Sequence, residues 1–538
     1  MTLSHDQLKS PRAASDIGAE NAPAVFFKRS AAMFIVSAVF VVSVAFYWHG
    51  FGPMGDAERY VAAALEWRDE GFYLGETHWA LRHLFVLPMA AIFTLFGTSE
   101  FAATIPNILY AAGLVAVTLY FGRKYLGEGE GTIAAILVAI SAYFVSRPVQ
   151  IGVYGAEIFF AAIACWLFVS AQMARRRIFC LVAAGVFAGL AWTIREQTLF
   201  LIVAFGLSSL FDRRQPLLSL AAIGIGFGSV LAVEWIIYWL SAGDPFYRYR
   251  IDLDHRSTGW ATLDSSSDPW TAKLFRPFKD LSTDPLTTPT VLIAAVAAAT
   301  LGQRWLRARF AHRSVLSLFA AFSAIAAVTS AYAFDLATPR YYPILPYFVC
   351  LFLGVAIVGI GKKFGTPAAI SIGVMAALAN AAGDDFGNYN EYAEARTLAR
   401  YVQANDEPVF TDPLTASRTR NLLRLSGLSG DRISTLIRSD KTYPAGVLLY
   451  KAAPSSTQLG YWCSIARLDV RTDSWTHAII RFFNIDNTIG GSLESIAAKP
   501  EPVEFIRVLP RAADHDPISG RECLPTLKTK KALQSQRL

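Results

Sequence analysis

Gly55-Asp56-Ala57-Glu58-Arg59-Tyr60 follows closely on the apolar run Ala31–Trp48, and His78-Trp79-Ala80-Leu81-Arg82-His83 comes before the chain next crosses a bilayer. Two carboxylates and several basic and aromatic side chains therefore share one polar loop, pinned at both ends to apolar segments. Crossing the hydrocarbon core of a bilayer takes about 20 apolar residues, and Ala31–Trp48 is close to that length. A loop of this composition beside such a run marks a membrane protein with polar chemistry at one face.

The rest of the chain repeats the pattern. Further apolar runs are Phe101–Phe121, Thr132–Val145, Glu157–Met173, Phe179–Ile194, Leu199–Phe211, Leu217–Leu240, Pro289–Leu301, Ser314–Phe334, Tyr341–Ile360 and Thr366–Ala382, giving eleven in all. Of the 538 residues, 54% are hydrophobic and only 17% charged, against about 25% charged in soluble domains. The expected fold class is an α-helical polytopic membrane protein of about eleven transmembrane helices with a small C-terminal extracytoplasmic α/β domain.

Sidedness follows from the basic loops. Lys28-Arg29, Arg123-Lys124, Arg175-Arg176-Arg177, Arg213-Arg214, Arg304 through Arg313 and Lys362-Lys363 fall at every second boundary, and short basic loops stay cytoplasmic. The N-terminus is then inside and everything after Ala382 outside. Leu84–Phe96 is too short for a comfortable crossing and reads as an interfacial or re-entrant helix. The sequence divides into a disordered cytoplasmic leader (1–29), a transmembrane domain (30–382) with its outer loop at 49–83, and an extracytoplasmic α/β domain (383–538). No cleavable signal peptide is expected, because the first apolar run is preceded by a polar leader. The net charge of +7 is spread over these loops, so no nucleic acid partner is implied.

In the last region Tyr392–Ala404 has helical apolar spacing, while Val409-Phe410, Val447–Tyr450 and Val503–Leu509 read as strands. Cys165, Cys180 and Cys350 lie in apolar runs. Cys463 and Cys523 fall in the outer region, where a disulfide between them is expected.

Candidate chemistry gathers on the outer side. Asp56 precedes a helical stretch, so it reads either as an N-cap or as a functional carboxylate. Glu58 and Arg59 are either a surface pair or part of an acceptor site. His78, Arg82 and His83 lack zinc-site spacing and suit contact with an oxyanion, or anchoring among lipid headgroups. A divalent metal is left open as a cofactor, with no ligand set assigned. Arg147, Arg195-Glu196, Glu234, Asp335 and Arg340 lie at outer ends of other runs, with a Glu234–Arg195 pair as the structural alternative.

No nucleotide-binding motif is present. A transferase facing outward needs its donor delivered on a lipid, and a polyprenyl-phosphate sugar meets that need. Its phosphate leaves as an anion that cationic donors stabilise, while the acceptor hydroxyl needs one base. On this reading the first outer loop, with Asp56 and Glu58, holds the base and a supporting acid. Arg82, His83, Arg195 and Arg340 face the phosphate, and Arg59, Tyr60 and His78 belong to the acceptor loop. The partners are the lipid-linked donor, a lipid, glycan or protein acceptor, and membrane lipids. A flippase of lipid-linked glycans and a non-catalytic envelope assembly protein are the alternatives.

Gly-Asp-x-Glu-x-Tyr, then His78…Arg82-His83-Leu84…Leu87-Pro88, Leu95-Phe96-Gly97-Thr98-Ser99-Glu100-Phe101 and Gly122-Arg123-Lys124-Tyr125-Leu126-Gly127 resemble the GT-C fold glycosyltransferases. The nearest likeness is to bacterial members of glycosyltransferase family 39, akin to dolichyl-phosphate-mannose protein mannosyltransferases and lipid A aminoarabinose transferases. Gly185…Arg195 and Arg340-Tyr341-Tyr342…Pro346 fit the same pattern, and the resemblance spans Ala31 to Gly361. It implies a multi-pass enzyme of the bacterial inner membrane that builds cell-envelope glycan, with the acid of the first outer loop, here Asp56, as base. The chain departs from the pattern in placing Ala57 between its two acids and Ala80-Leu81-Arg82 where relatives carry Lys-Pro-Pro.

Overall fold

A computed structural model describes residues 22–48, 55–72, 74–146, 151–173, 176–210, 215–257, 270–310, 314–333, 339–387, 393–428 and 433, with strand segments at 436–438, 448–450, 462–468 and 503–508. Its helices are, in chain order, α1 (Ala22–Tyr47), α2 (Gly55–Glu70), α3 (His83–Phe96), α4 (Glu100–Tyr125), α5 (Glu128–Ile140), α6 (Tyr154–Met173), α7 (Arg177–Ile194), α8 (Leu199–Leu210) and α9 (Pro216–Ala242). There follow α10 (Tyr247–Ser257), α11 (Trp270–Thr283), α12 (Thr288–Leu301), α13 (Gln303–Arg309), α14 (Val315–Ala333), α15 (Ile344–Phe364), α16 (Thr366–Gly387), α17 (Ala393–Ala404) and α18 (Pro413–Leu425).

Each of the eleven apolar runs holds a helix within its described residues. Among the described residues seven helices are long and apolar enough to cross a membrane alone, and an eighth span arises if α12 is taken with the end of α11, which meets it at 107°. Runs Thr132–Val145, Leu199–Phe211 and Ser314–Phe334 form shorter apolar helices, the first continued by a π-helical turn at Ala142–Ser146. The chain is therefore a multi-pass membrane protein. Leu84–Phe96 is the 14-residue α3, and it packs beside α2 rather than making a span of its own.

Lipid is as apolar as leucine, so membrane helices gain by close packing of small residues. Helices α7 and α9 cross through Gly185 and Gly226. A Cβ on Gly226 would lie 2.0 Å from the Val182 carbonyl oxygen, and one on Gly185 would lie 2.2 Å from that of Ile223. Helices α4, α6 and α15 are tied by the Tyr347 hydroxyl, which accepts from Trp166 Nε1 at 2.8 Å and shares a hydrogen bond with Thr118 Oγ1 at 2.8 Å. These contacts fix the helix ends that carry Arg195, Glu234 and Arg340.

Short α2 lies against α3, with Tyr60 meeting Phe85 edge-on at 5.0 Å. The C-terminal residues place α17 and α18 beside a five-stranded sheet, in the order β2-β1-β3-β5-β4. Its strands are β1 (Val409–Thr411), β2 (Leu436–Arg438), β3 (Leu448–Tyr450), β4 (Trp462–Leu468) and β5 (Val503–Val508). Strand β1 runs parallel to β2 and β3, and β5 pairs antiparallel with β3 and β4. Three of these strands coincide with the expected ones; β2, β4 and α18 had no clear sequence signal. Cys523 of the expected disulfide lies outside the described residues, as do Arg147 and Asp335.

The glycine crossing yields a test. Gly226→Leu forces α7 and α9 apart, and overpacking costs about 1–3 kcal/mol or more, so its melting temperature in detergent drops sharply. Gly228→Leu, at a site with open space around it, melts like wild type.

Candidate functional site

The first turn of α2 carries Asp56 and Glu58. The helix begins at Gly55, so Asp56 is inside it rather than capping it. Residues four apart share a helix face, which sets Asp56 above Tyr60. Asp56 is solvent-exposed and Tyr60 fully buried. Burial pushes the Tyr60 phenol well above its ordinary range, and the charge of Asp56 adds to this. Tyr60 thus stays protonated. Its oxygen accepts from Arg82 Nη1, leaving its own hydrogen to donate.

Arg82 sits at the start of α3, where the positive end of the helix dipole adds to its charge. The polar segment before it is held down by a stack. The Arg59 guanidinium lies 3.5 Å over the Trp79 ring, and Trp79 lies 3.6 Å from His78. Tyr247 of α10 adds a hydrogen bond to the Gly75 carbonyl at 3.3 Å. Sequence order alone left these residues as loop; their stacking makes the loop a fixed wall.

Arg82, Arg195 and Arg248 are buried guanidiniums at this end of the bundle, and Arg340 beside them is half-buried. Arg195, at the end of α7, donates to Glu157 at 3.1 Å and to the Arg340 carbonyl, and lies 4.3 Å from the Tyr341 ring centroid. Arg248, on α10, donates to Glu234 at 2.8 Å, to the Thr193 carbonyl at 2.8 Å and to Glu196. Arg340 donates to the Tyr341 hydroxyl at 3.0 Å. The expected Glu234–Arg195 pair does not form: Glu234 pairs with Arg248, and Arg195 with Glu157. Against the burial that would raise it, Arg248 and Arg82 hold the Glu196 carboxyl down to about 2.

The count of charges matters. Four guanidiniums face three carboxylates, and both Arg195 and Arg248 are ion-paired. Arg82 and Arg340 have no carboxylate within ion-pair distance among the described residues, and the Nε of each is buried without a hydrogen-bond partner. Buried polar groups are normally satisfied. Two guanidiniums left short of acceptors can therefore receive an anion.

His83 lies beside the cluster, near Trp67 and Tyr238. Burial, and then the Arg248 charge, push its ring down to about 4. At neutral pH it offers a hydrogen bond but no charge. Glu58 points elsewhere: it accepts from Ser417 Oγ and lies 3.6 Å from Arg424 Nη1, both on α18. Thus the structure gathers Tyr60, Arg82, Arg195 and Arg340, sets Asp56 one turn from Tyr60 on the exposed side of α2, and turns Glu58 and Arg59 to the flank facing α18. Among the described residues, no three His, Cys, Asp or Glu side chains converge as a metal site.

Arg248 and Glu157 escaped the sequence reading. A carboxylate in an apolar run is costly unless paired or used, which was the available signal for Glu157. Arg248 had none, since it stands among other charges in a polar stretch.

Residues 84–239 match the family model of dolichyl-phosphate-mannose-protein mannosyltransferase, a segment that begins after Asp56. Among solved structures, ArnT from Cupriavidus metallidurans bound to undecaprenyl phosphate aligns at 11% identity and a TM-score of 0.51, over 83% of this chain and 96% of that one. This chain has the GT-C glycosyltransferase fold. The apo form of the same ArnT aligns equally well, at 12% identity and a TM-score of 0.51 over 82% of this chain and 97% of that one. The archaeal oligosaccharyltransferase AglB from Archaeoglobus fulgidus aligns at 11% identity over 72% of this chain and 64% of that one. Its TM-score is 0.43. No curated protein matches the GT-C chain significantly by sequence.

The two classes of arginine should separate on mutation. Removing one partner of a buried ion pair costs about 3–5 kcal/mol, so Arg248→Met, which strands Glu196 and Glu234, unfolds well below the wild-type melting temperature. Arg340→Gln strands no carboxylate and should cost under about 1.5 kcal/mol. His83 gives a pH test. The unfolded ring takes a proton near pH 6.5 and the folded one only near 4. Unfolding therefore binds a proton between those values, and stability falls as pH falls through that window. Melting temperatures at pH 7 and pH 5 should differ less in His83→Gln than in wild type.

Proposed function

We propose that the chain transfers a glycosyl group from a polyprenyl-phosphate donor to a hydroxyl of an acceptor outside the cytoplasm. The observation that carries this reading is the pair Arg82 and Arg340, whose Nε atoms are buried without acceptors, with Arg82 hydrogen-bonded to Tyr60 one helical turn from Asp56. The family match and the shared fold support it, as does the undecaprenyl phosphate in the ArnT structure.

In this reaction the acceptor oxygen forms a bond to the anomeric carbon as the bond from that carbon to the phosphate oxygen breaks. A single displacement inverts the anomeric centre. The bonding electron pair leaves with the lipid phosphate, whose added negative charge falls to Arg82 and Arg340, aided by the Tyr60 hydroxyl. Charge-assisted bonds from fixed donors lower such a barrier without reorganisation. Asp56, exposed at the rim, takes the acceptor proton as attack proceeds. Arg195 and Arg248 act by position: their ion pairs lock α6, α7, α9 and α10 around the site. Glu58, turned to α18, is assigned to positioning rather than to proton transfer.

The test is envelope-glycan mass analysis in a strain deleted for the protein and complemented with variants. Wild type restores the missing glycosylation. Asp56→Asn, present in the membrane at wild-type levels, loses about a hundredfold to ten-thousandfold in rate and fails to restore it. Full restoration by Asp56→Asn rules out the base assignment.

A further inference from the structure

A cavity of about 380 Å³ lies between α2 and α18, lined by Glu58, Arg59, Ala62, Ser417, Arg420 and Arg424 among others. That volume lies within the range of small-ligand sites. Three guanidiniums and one carboxylate line it. The carboxylate is already engaged, because Glu58 accepts from Ser417 Oγ and lies 3.6 Å from Arg424. Arg59, by contrast, has no ion pair among the described residues; its guanidinium lies flat on Trp79. A concave wall with this excess of positive charge focuses a field on whatever enters it. It favours an anion and disfavours an apolar group.

The position of the cavity is informative. Arg59 lies three residues beyond Asp56 on α2, a spacing that sets side chains about 5–6 Å apart at Cβ. Neither Arg82 nor Arg340 lines it, so it is separate from the cluster assigned to the donor phosphate. Asp56 lies outside the lining, about one helical turn before Arg59 on α2, and a ligand anchored here has that turn to span to reach it. We propose that this cavity is the acceptor site and that the acceptor is an anionic saccharide, a sugar bearing phosphate or carboxylate. The proposal rests on the transferase reading above. The C-terminal residues then supply specificity, since Ser417, Arg420 and Arg424 all belong to α18.

The experiment is calorimetric titration of the full chain, in nanodiscs of neutral lipid, with glucose 6-phosphate and with glucose. Glucose 6-phosphate should bind at least about tenfold more tightly than glucose. Arg59→Gln and Arg424→Gln should each weaken it about tenfold, the loss expected for one charge-assisted contact. Arg340→Gln should leave that affinity intact, and unchanged melting temperatures would report folded variants. Equal affinity for glucose, absence of binding at millimolar sugar phosphate, or loss in Arg340→Gln instead overturns the proposal. So does complete competition by phosphatidylglycerol vesicles, which would make the cavity a contact for bilayer headgroups. Binding here does not depend on Asp56. Retained binding in a protein whose deletion leaves the envelope glycans unchanged would therefore remove the transferase reading alone, and an active Asp56→Asn would remove only the base assignment.

Discussion

A charge at the edge of a membrane must be paired, hydrated or used, and this constraint shapes one end of the molecule. Among the described residues three buried guanidiniums, the half-buried Arg340 and three carboxylates meet there, drawn from α3, α6, α7, α9, α10 and the turns before α8 and α15. The carboxylates are committed to Arg195 and Arg248, which leaves Arg82 and Arg340 as cations with unspent donors. Stability and function are divided accordingly. Paired arginines hold the helix ends together, and the others give the site its appetite for an anion.

Getting those charges to meet is the task of the apolar part. Glycine contacts between α7 and α9 and the Tyr347 network among α4, α6 and α15 set the helix ends. On that frame α2 and the stacked residues Arg59, Trp79 and His78 form the wall that carries Asp56. Helix α4 is also bound to the C-terminal residues, through Glu100 and Arg396 at 2.7 Å, as α2 is through Glu58. The C-terminal helices are therefore part of the wall around the site rather than an appendage.

The helices were legible because long apolar runs permit little else, and the first polar loop stood out because carboxylates and basic residues crowd its few positions. Pairing was not legible. Arg195 and Glu234 both lie at helix ends, so a bond between them was a fair expectation. Helix rotation instead turns Arg195 to Glu157 and brings Arg248 up from a polar stretch to take Glu234. Nor did sequence spacing reveal what Glu58, two residues after Asp56, would meet. Residues two apart on a helix do not share a face, and only the presence of α18 says what Glu58 meets. The short strands β2 and β4 gave no periodic signal, being specified by their partners in the sheet.

The central claim is that Arg82 and Arg340 receive the phosphate of a lipid-linked donor. Native mass spectrometry of the purified chain with undecaprenyl phosphate tests it most directly, comparing wild type with the double variant Arg82→Gln/Arg340→Gln. The account expects a bound lipid phosphate in wild type and a loss of affinity of at least about a hundredfold in the double variant, about tenfold for each lost cation. Equal lipid phosphate binding by a folded double variant would contradict it.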